Sequence, residues 1–103
     1  MISEFNYPDR DWLLFIRNVD LDYYLKFIKK FEEITNPIER KKSFWHDTVS
    51  EYVLTGIDNK IRIDFSDEIV TIMFTEHSDD NLKAFLKKIA QIIDLEFNND
   101  LNE

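Results

Sequence analysis

Cysteine is absent from the sequence, which removes disulfides, thiolate nucleophiles and every Cys-based metal or iron–sulfur site at once. Small secreted domains usually need such staples. Glycine occurs once, at Gly56, and proline twice, at Pro8 and Pro37, so the chain has no glycine-rich loop to cradle a nucleotide's phosphates. No apolar stretch approaches a membrane span, and Met1-Ile2-Ser3-Glu4-Phe5-Asn6 has neither the basic region nor the apolar run of a signal peptide. Residence in the cytoplasm is the expectation that follows.

Positive charge is also in short supply. Thirteen basic side chains face 21 acidic ones, a formal charge of −8. The resulting field repels nucleic-acid phosphates and anionic lipid surfaces and favours a basic partner. The same charge also keeps a small protein soluble. What the chain has in quantity is bulk: 44% of its residues are hydrophobic, and nine Phe, four Tyr and two Trp can fill a core despite the short length. At 103 residues it reads as a single domain, 1–103, with a polar tail at 98–103 that frays.

There is no internal repeat, low-complexity segment or Gly/Ser linker, so periodicity organises the rest. The residues up to Arg10 read as an extended lead-in. The run Trp12-Leu13-Leu14-Phe15-Ile16 is continuously apolar, and periodicity does not separate a buried strand from a short helix there; helix is the preferred reading. A clear helix begins near Asp20, a cap for the first-turn amides, with Leu21, Tyr24, Leu25, Ile28 and Phe31 on one stripe and an end by Thr35. Asn36-Pro37-Ile38-Glu39 reads as a second helix start, giving a shorter helix to about His46.

Alternation then takes over through Tyr52 and Leu54, Ile61, Ile63 and Phe65, and Val70, Ile72 and Phe74, with Asp58-Asn59 and Ser66-Asp67-Glu68 as turns. Ser78 with Asp79 and Asp80 caps a last helix carrying Leu82, Phe85, Leu86, Ile89, Ile92 and Ile93. The predicted class is α+β: a two-layer domain with a three-stranded antiparallel meander at about 48–75, packed with N-terminal helices and a C-terminal helix at about 79–97. Phe44, Trp45, Thr48, Val49, Tyr52 and Val53 also fit a helix, which leaves the first strand open as a continuation of the second helix.

Candidate chemistry is sparse. His46 and His77 are the only groups that titrate near neutrality. His46, Asp47 and Glu51 could gather as ligands on a helix, but a strand would scatter them. Glu76-His77-Ser78-Asp79-Asp80 could hold a hard cation, yet carboxylates at a helix start already complement its dipole, and no Gly follows as in a calcium loop. Asp64, Asp67 and Glu68 sit at a turn, which attracts Asp for backbone reasons. With no nucleophile and no second polar cluster, we expect no enzymatic activity, metal or cofactor. The basic steps Lys29-Lys30, Arg40-Lys41-Lys42 and Lys87-Lys88 are diluted by acids and read as solvated helix faces, not a nucleic-acid stripe.

What remains is a distribution of carboxylates at turns and helix starts. Asp20, Asp22, Tyr23, Asp47, Glu51, Tyr52, Asp64, Asp67, Glu68, Glu76 and Asp79 form the candidate partner-binding set, a surface suited to a basic protein. In size, acidity, lack of cysteine, aromatic richness and absence of catalytic motif the chain resembles the small bacterial immunity proteins, including those of contact-dependent growth inhibition systems. That resemblance implies an inhibitor that binds a cognate toxin, a nuclease in the favoured case, and covers its basic active site. The alternative is a regulatory adaptor or oligomeric structural protein, in which acidity serves solubility only.

Overall fold

The computed structural model describes residues 2–6, 12–42, 48–57, 60–74 and 80–101, with the backbone alone at position 6 and at 98–101. In chain order the elements are β1 (Ile2–Asn6), β2 (Trp12–Arg17), α1 (Leu21–Thr35), β3 (Glu39–Lys42), β4 (Val49–Val53), β5 (Ile61–Ser66), β6 (Ile69–Phe74) and α2 (Asp80–Leu101). The strands form one antiparallel sheet in the order β1-β2-β6-β5-β4-β3. The α+β class and the three predicted strands hold, but those strands are half of a six-stranded sheet.

Two predicted helices are strands. Trp12–Arg17 pairs with β1 on one side and β6 on the other, with Leu14 opposite both Glu4 and Ile72. Trp12, Leu14 and Ile16 are fully buried while Leu13 and Phe15 are half-buried. The run hides its period of two because both faces of this interior strand are apolar. The lead-in before it is partly a strand as well, since Ile2–Asn6 is β1.

The second helix fails for a different reason. Asn36 closes α1 instead of opening a new helix: it sits in the left-handed region at φ 45°, and its N–H donates to the Glu32 carbonyl at 2.9 Å. Asn suits either role, and Pro commonly follows a helix end. Glu39-Arg40-Lys41-Lys42 offers no apolar stripe to hold a helix to the sheet, and pairing with β4 makes it an exposed edge strand.

The first helix starts where expected. Asp20 Oδ1 accepts the Tyr23 N–H at 2.8 Å. Its buried residues are Tyr24, Phe27, Ile28 and Phe31, whereas Leu21 and Leu25 stay exposed. Tyr24 reaches into the sheet, donating to the Ile63 carbonyl at 3.2 Å and sharing a hydrogen bond with Ser50. Phe31 packs on Tyr52 at 5.1 Å between ring centroids. In α2, Leu82, Leu86, Ile89, Ala90 and Ile93 are buried, and the helix runs on to Leu101, past the predicted end near 97. Tyr23 ties the helices together by donating to Asp94 at 2.6 Å and packing edge-on against Phe97. Both helices therefore lie on one face of the sheet.

The β5–β6 connection has two residues, because Ser66 pairs with Ile69. Asp67 and Glu68 both have positive φ, 53° and 64°, the backbone of a type I′ hairpin turn. Glu lacks the local hydrogen bonding that lets Asn or Asp tolerate this region. Glu68→Gly should therefore raise stability by about 0.5–1 kcal/mol, read from urea unfolding. A loss of stability would mean that the Glu68 side chain supports the turn.

Candidate functional site

Register assigns every strand residue to one of two sheet faces. Beneath the helices lie Trp12, Leu14, Ile16, Tyr52, Ile61, Ile63, Val70, Ile72 and Phe74, all at most 1% exposed. No described helix or strand covers the opposite face. On its β1–β2–β6 half stand Phe5, Leu13, Phe15, Ile69 and Met73, each half-buried by its neighbours in the pleat. Phe5 and Phe15 touch at 5.2 Å between centroids, and the Arg17 guanidinium sits 5.9 Å from the first ring and 5.7 Å from the second.

The β5–β4–β3 half of that face is charged. Lys41 lies opposite Glu51, which lies opposite Arg62, so opposite charges alternate across the strands. Asp64 is 3.6 Å from Arg62. Burial pushes the Asp64 carboxyl above its usual value, against the opposing pull of Arg62 and a hydrogen bond from Thr71.

The predicted partner-binding residues separate into three places. Asp20, Asp67 and Glu68 are exposed and share one end of the molecule, because the Val19 N–H donates to the Glu68 carbonyl at 3.0 Å and draws the β2–α1 connection against the hairpin turn. Asp22 is exposed near them, paired with Lys26 at 3.0 Å. Glu51 and Asp64 stand on the open sheet face. The two tyrosines point inward: Tyr23 lies between the helices, and Tyr52 is 1% exposed, its hydroxyl donating to Glu32 at 3.0 Å. Burial, with carboxylate neighbours adding to it, holds both phenols protonated well above the usual range. Tyr52 thus belongs to the core of the free protein.

Asp47, Glu76 and Asp79 lie outside the described residues, as do Phe44, Trp45, His46, His77, Ser78 and the Asp58-Asn59 turn. Among the described residues no group of three or more His, Asp or Glu side chains could hold a metal ion, and no helix is long and apolar enough to cross a membrane. Sequence reasoning missed the apolar half of the open face. Its signal was the unbroken run from Trp12 to Ile16, which in a strand must place Leu13 and Phe15 opposite the core.

One carboxylate is built into the fold on the helix-covered side of the sheet. Glu4 accepts the Trp12 indole N–H at 2.7 Å and pairs with Lys87 at 3.1 Å. The indole hydrogen bond first, and then Lys87, hold the Glu4 carboxyl below its usual value despite partial desolvation. A depressed folded-state value adds stability above the ordinary glutamate range, and that stability is lost as pH falls through the folded value. Glu4→Gln should thus be less stable than the wild type near pH 7, with the gap narrowing at acid pH. Urea midpoints at neutral and acid pH test this; an unchanged gap would contradict it.

Comparison with other proteins gives a plain result. No protein family, curated protein or solved structure matches this chain.

Proposed function

We propose that the chain is an immunity protein that binds and neutralises a bacterial toxin, a nuclease in the favoured case, by covering its basic active site. The open face of the sheet and the acidic end beside it form the docking surface. The observation that carries this reading is a juxtaposition. The half-buried Phe5, Leu13, Phe15, Ile69 and Met73 lie next to a turn bearing Asp67 and Glu68, with Asp20 against it.

A tight inhibitor needs both parts. Apolar and aromatic anchors provide most of the affinity once desolvated, while carboxylates of one sign speed the encounter with a cationic cleft. The overall charge of −8 acts in the same direction and disfavours nucleic acid or an anionic membrane as the partner. Such a protein acts in the cytoplasm of the cell that makes the toxin, without chemistry or cofactor of its own.

Co-expression with the product of the adjacent upstream gene tests the proposal. That product should be toxic alone and harmless with this chain, and the two should co-purify. A harmless neighbour, or toxicity without a complex, would sink the reading. The competing reading, an oligomer closed through the same apolar face, predicts self-association that persists at high salt in sedimentation. A charge-steered heteromeric complex should instead form more slowly as salt rises.

A further inference from the structure

A second surface, of opposite charge, lies at the far edge of the sheet. Among the described residues strand β3 is the last in the sheet order, bonded to β4 on one side only, and Glu39 through Lys42 are all exposed. An edge of this kind presents main-chain N–H and C=O groups that can pair with another chain. Between β3 and α1 runs a groove of about 520 Å³, with Leu25 and Ile28 on its apolar wall.

Three cations and two carboxylates line the groove, a positive excess in a chain that is otherwise strongly acidic. Lys29 comes from α1, and Arg40 and Lys42 come from β3. The two carboxylates that also line it are engaged: Glu32 receives both the Arg40 guanidinium and the Tyr52 hydroxyl, and Glu33 lies 3.9 Å from Lys30. Glu32 is largely shielded, its side chain 13% exposed, and so anchors Arg40 at the groove wall. Arg40 and Lys42 are two residues apart on one face of β3, opposite Tyr52 and Ser50 of the core-side row. On the other side of the sheet, Lys41 and Lys60 line a smaller cleft of about 80 Å³ together with Glu39 and Glu51.

We propose that this edge binds an acidic, extended segment of a protein partner as an added strand on β3. Strand addition takes its affinity from main-chain hydrogen bonds and its specificity from alternate side chains. With Arg40 and Lys42 at a spacing of two, acidic residues at positions i and i+2 of the added strand meet the two cations, with Lys29 beside them. The apolar wall formed by Leu25 and Ile28 accepts the stems of those side chains. The site is independent of the surface proposed for the toxin, which lies on the opposite sheet face and is acidic at its end.

The probe is a capped synthetic peptide of alternating Glu and Val, titrated into the full chain and followed by amide chemical shifts. The largest shifts should fall at 39–42 and along the Leu25–Glu33 side of α1. A peptide with Lys in place of Glu should bind at least about tenfold more weakly, and so should the Glu peptide with the Lys29→Glu/Lys42→Glu variant. Both positions are exposed, so the variant should keep the wild-type spectrum elsewhere. A peptide with alternate main-chain N-methylation keeps the charge but loses strand pairing, and should also bind at least about tenfold more weakly. Undiminished binding of the methylated or Lys peptide, shifts away from β3, or no binding at millimolar peptide would each overturn the proposal.

Discussion

Trp12→Ala should remove about 3–5 kcal/mol of stability, a large share of the roughly 5–15 kcal/mol available to a domain of this size. Trp12 is 0% exposed and lies 5.4 Å from Phe74 between ring centroids, opposite it in the β2–β6 ladder. Truncation removes that packing, leaves a cavity where an interior strand meets the helices, and strips Glu4 of its indole donor. Trp12→Phe separates these effects. It keeps much of the apolar volume while removing the N–H and part of the ring, and should cost about 1–3 kcal/mol. Urea unfolding followed by circular dichroism measures both. A loss below about 1 kcal/mol for Trp12→Ala would place the side chain outside a packed core.

Phe15→Ala should act the other way round, leaving the fold nearly intact while damaging the complex. Phe15 is half-buried on the open face, in contact with Phe5 and covered by Arg17. Its truncation should cost about 1 kcal/mol in unfolding experiments. Central aromatic anchors of an interface cost about 2–4 kcal/mol when truncated, or roughly 30- to 1,000-fold in affinity. Asp67→Lys/Glu68→Lys, at the exposed turn, should chiefly slow association and weaken its salt dependence. Stopped-flow and equilibrium binding with the co-purified toxin distinguish the two patterns. Equal affinity for wild type and Phe15→Ala would move the interface elsewhere.

Different parts of the molecule were legible in the sequence to different degrees. Strand β5 was readable because one face is polar enough to expose the alternation, as in Ile61-Arg62-Ile63-Asp64, while β6 was placed by the Ser66-Asp67-Glu68 turn before it and β4 only by Tyr52 and Leu54. Strand β2 was not, because Leu13 and Phe15 are as apolar as Trp12, Leu14 and Ile16, and nothing local marks which face is core. Strand β3 carries four charged residues in a row, and only its pairing with β4 makes it a strand. Asn36 shows the same limit at one position, since its side chain suits the start of a helix as well as the end of one.

The candidate site divides in a similar way. Charge and turn chemistry marked Asp20, Asp67 and Glu68 individually. Their convergence depends on the contact between Val19 and Glu68, 49 positions apart in the chain. Tyr23 and Tyr52 were assigned to the partner surface and point inward instead, whereas Phe5 and Phe15 were left off it and stand on the open face, because a one-sided helical layer leaves half of the sheet's side chains outside.

The open face of the sheet is the surface proposed to inhibit the toxin. Oxidative footprinting of the complex with the upstream gene product, compared with the free chain, tests it most directly. Phe5, Phe15 and Met73 should be oxidised in the free protein and protected in the complex, while the exposed Leu95 and Phe85 of α2 stay reactive. Protection confined to α2, with Phe15 and Met73 as reactive as before, would contradict the account.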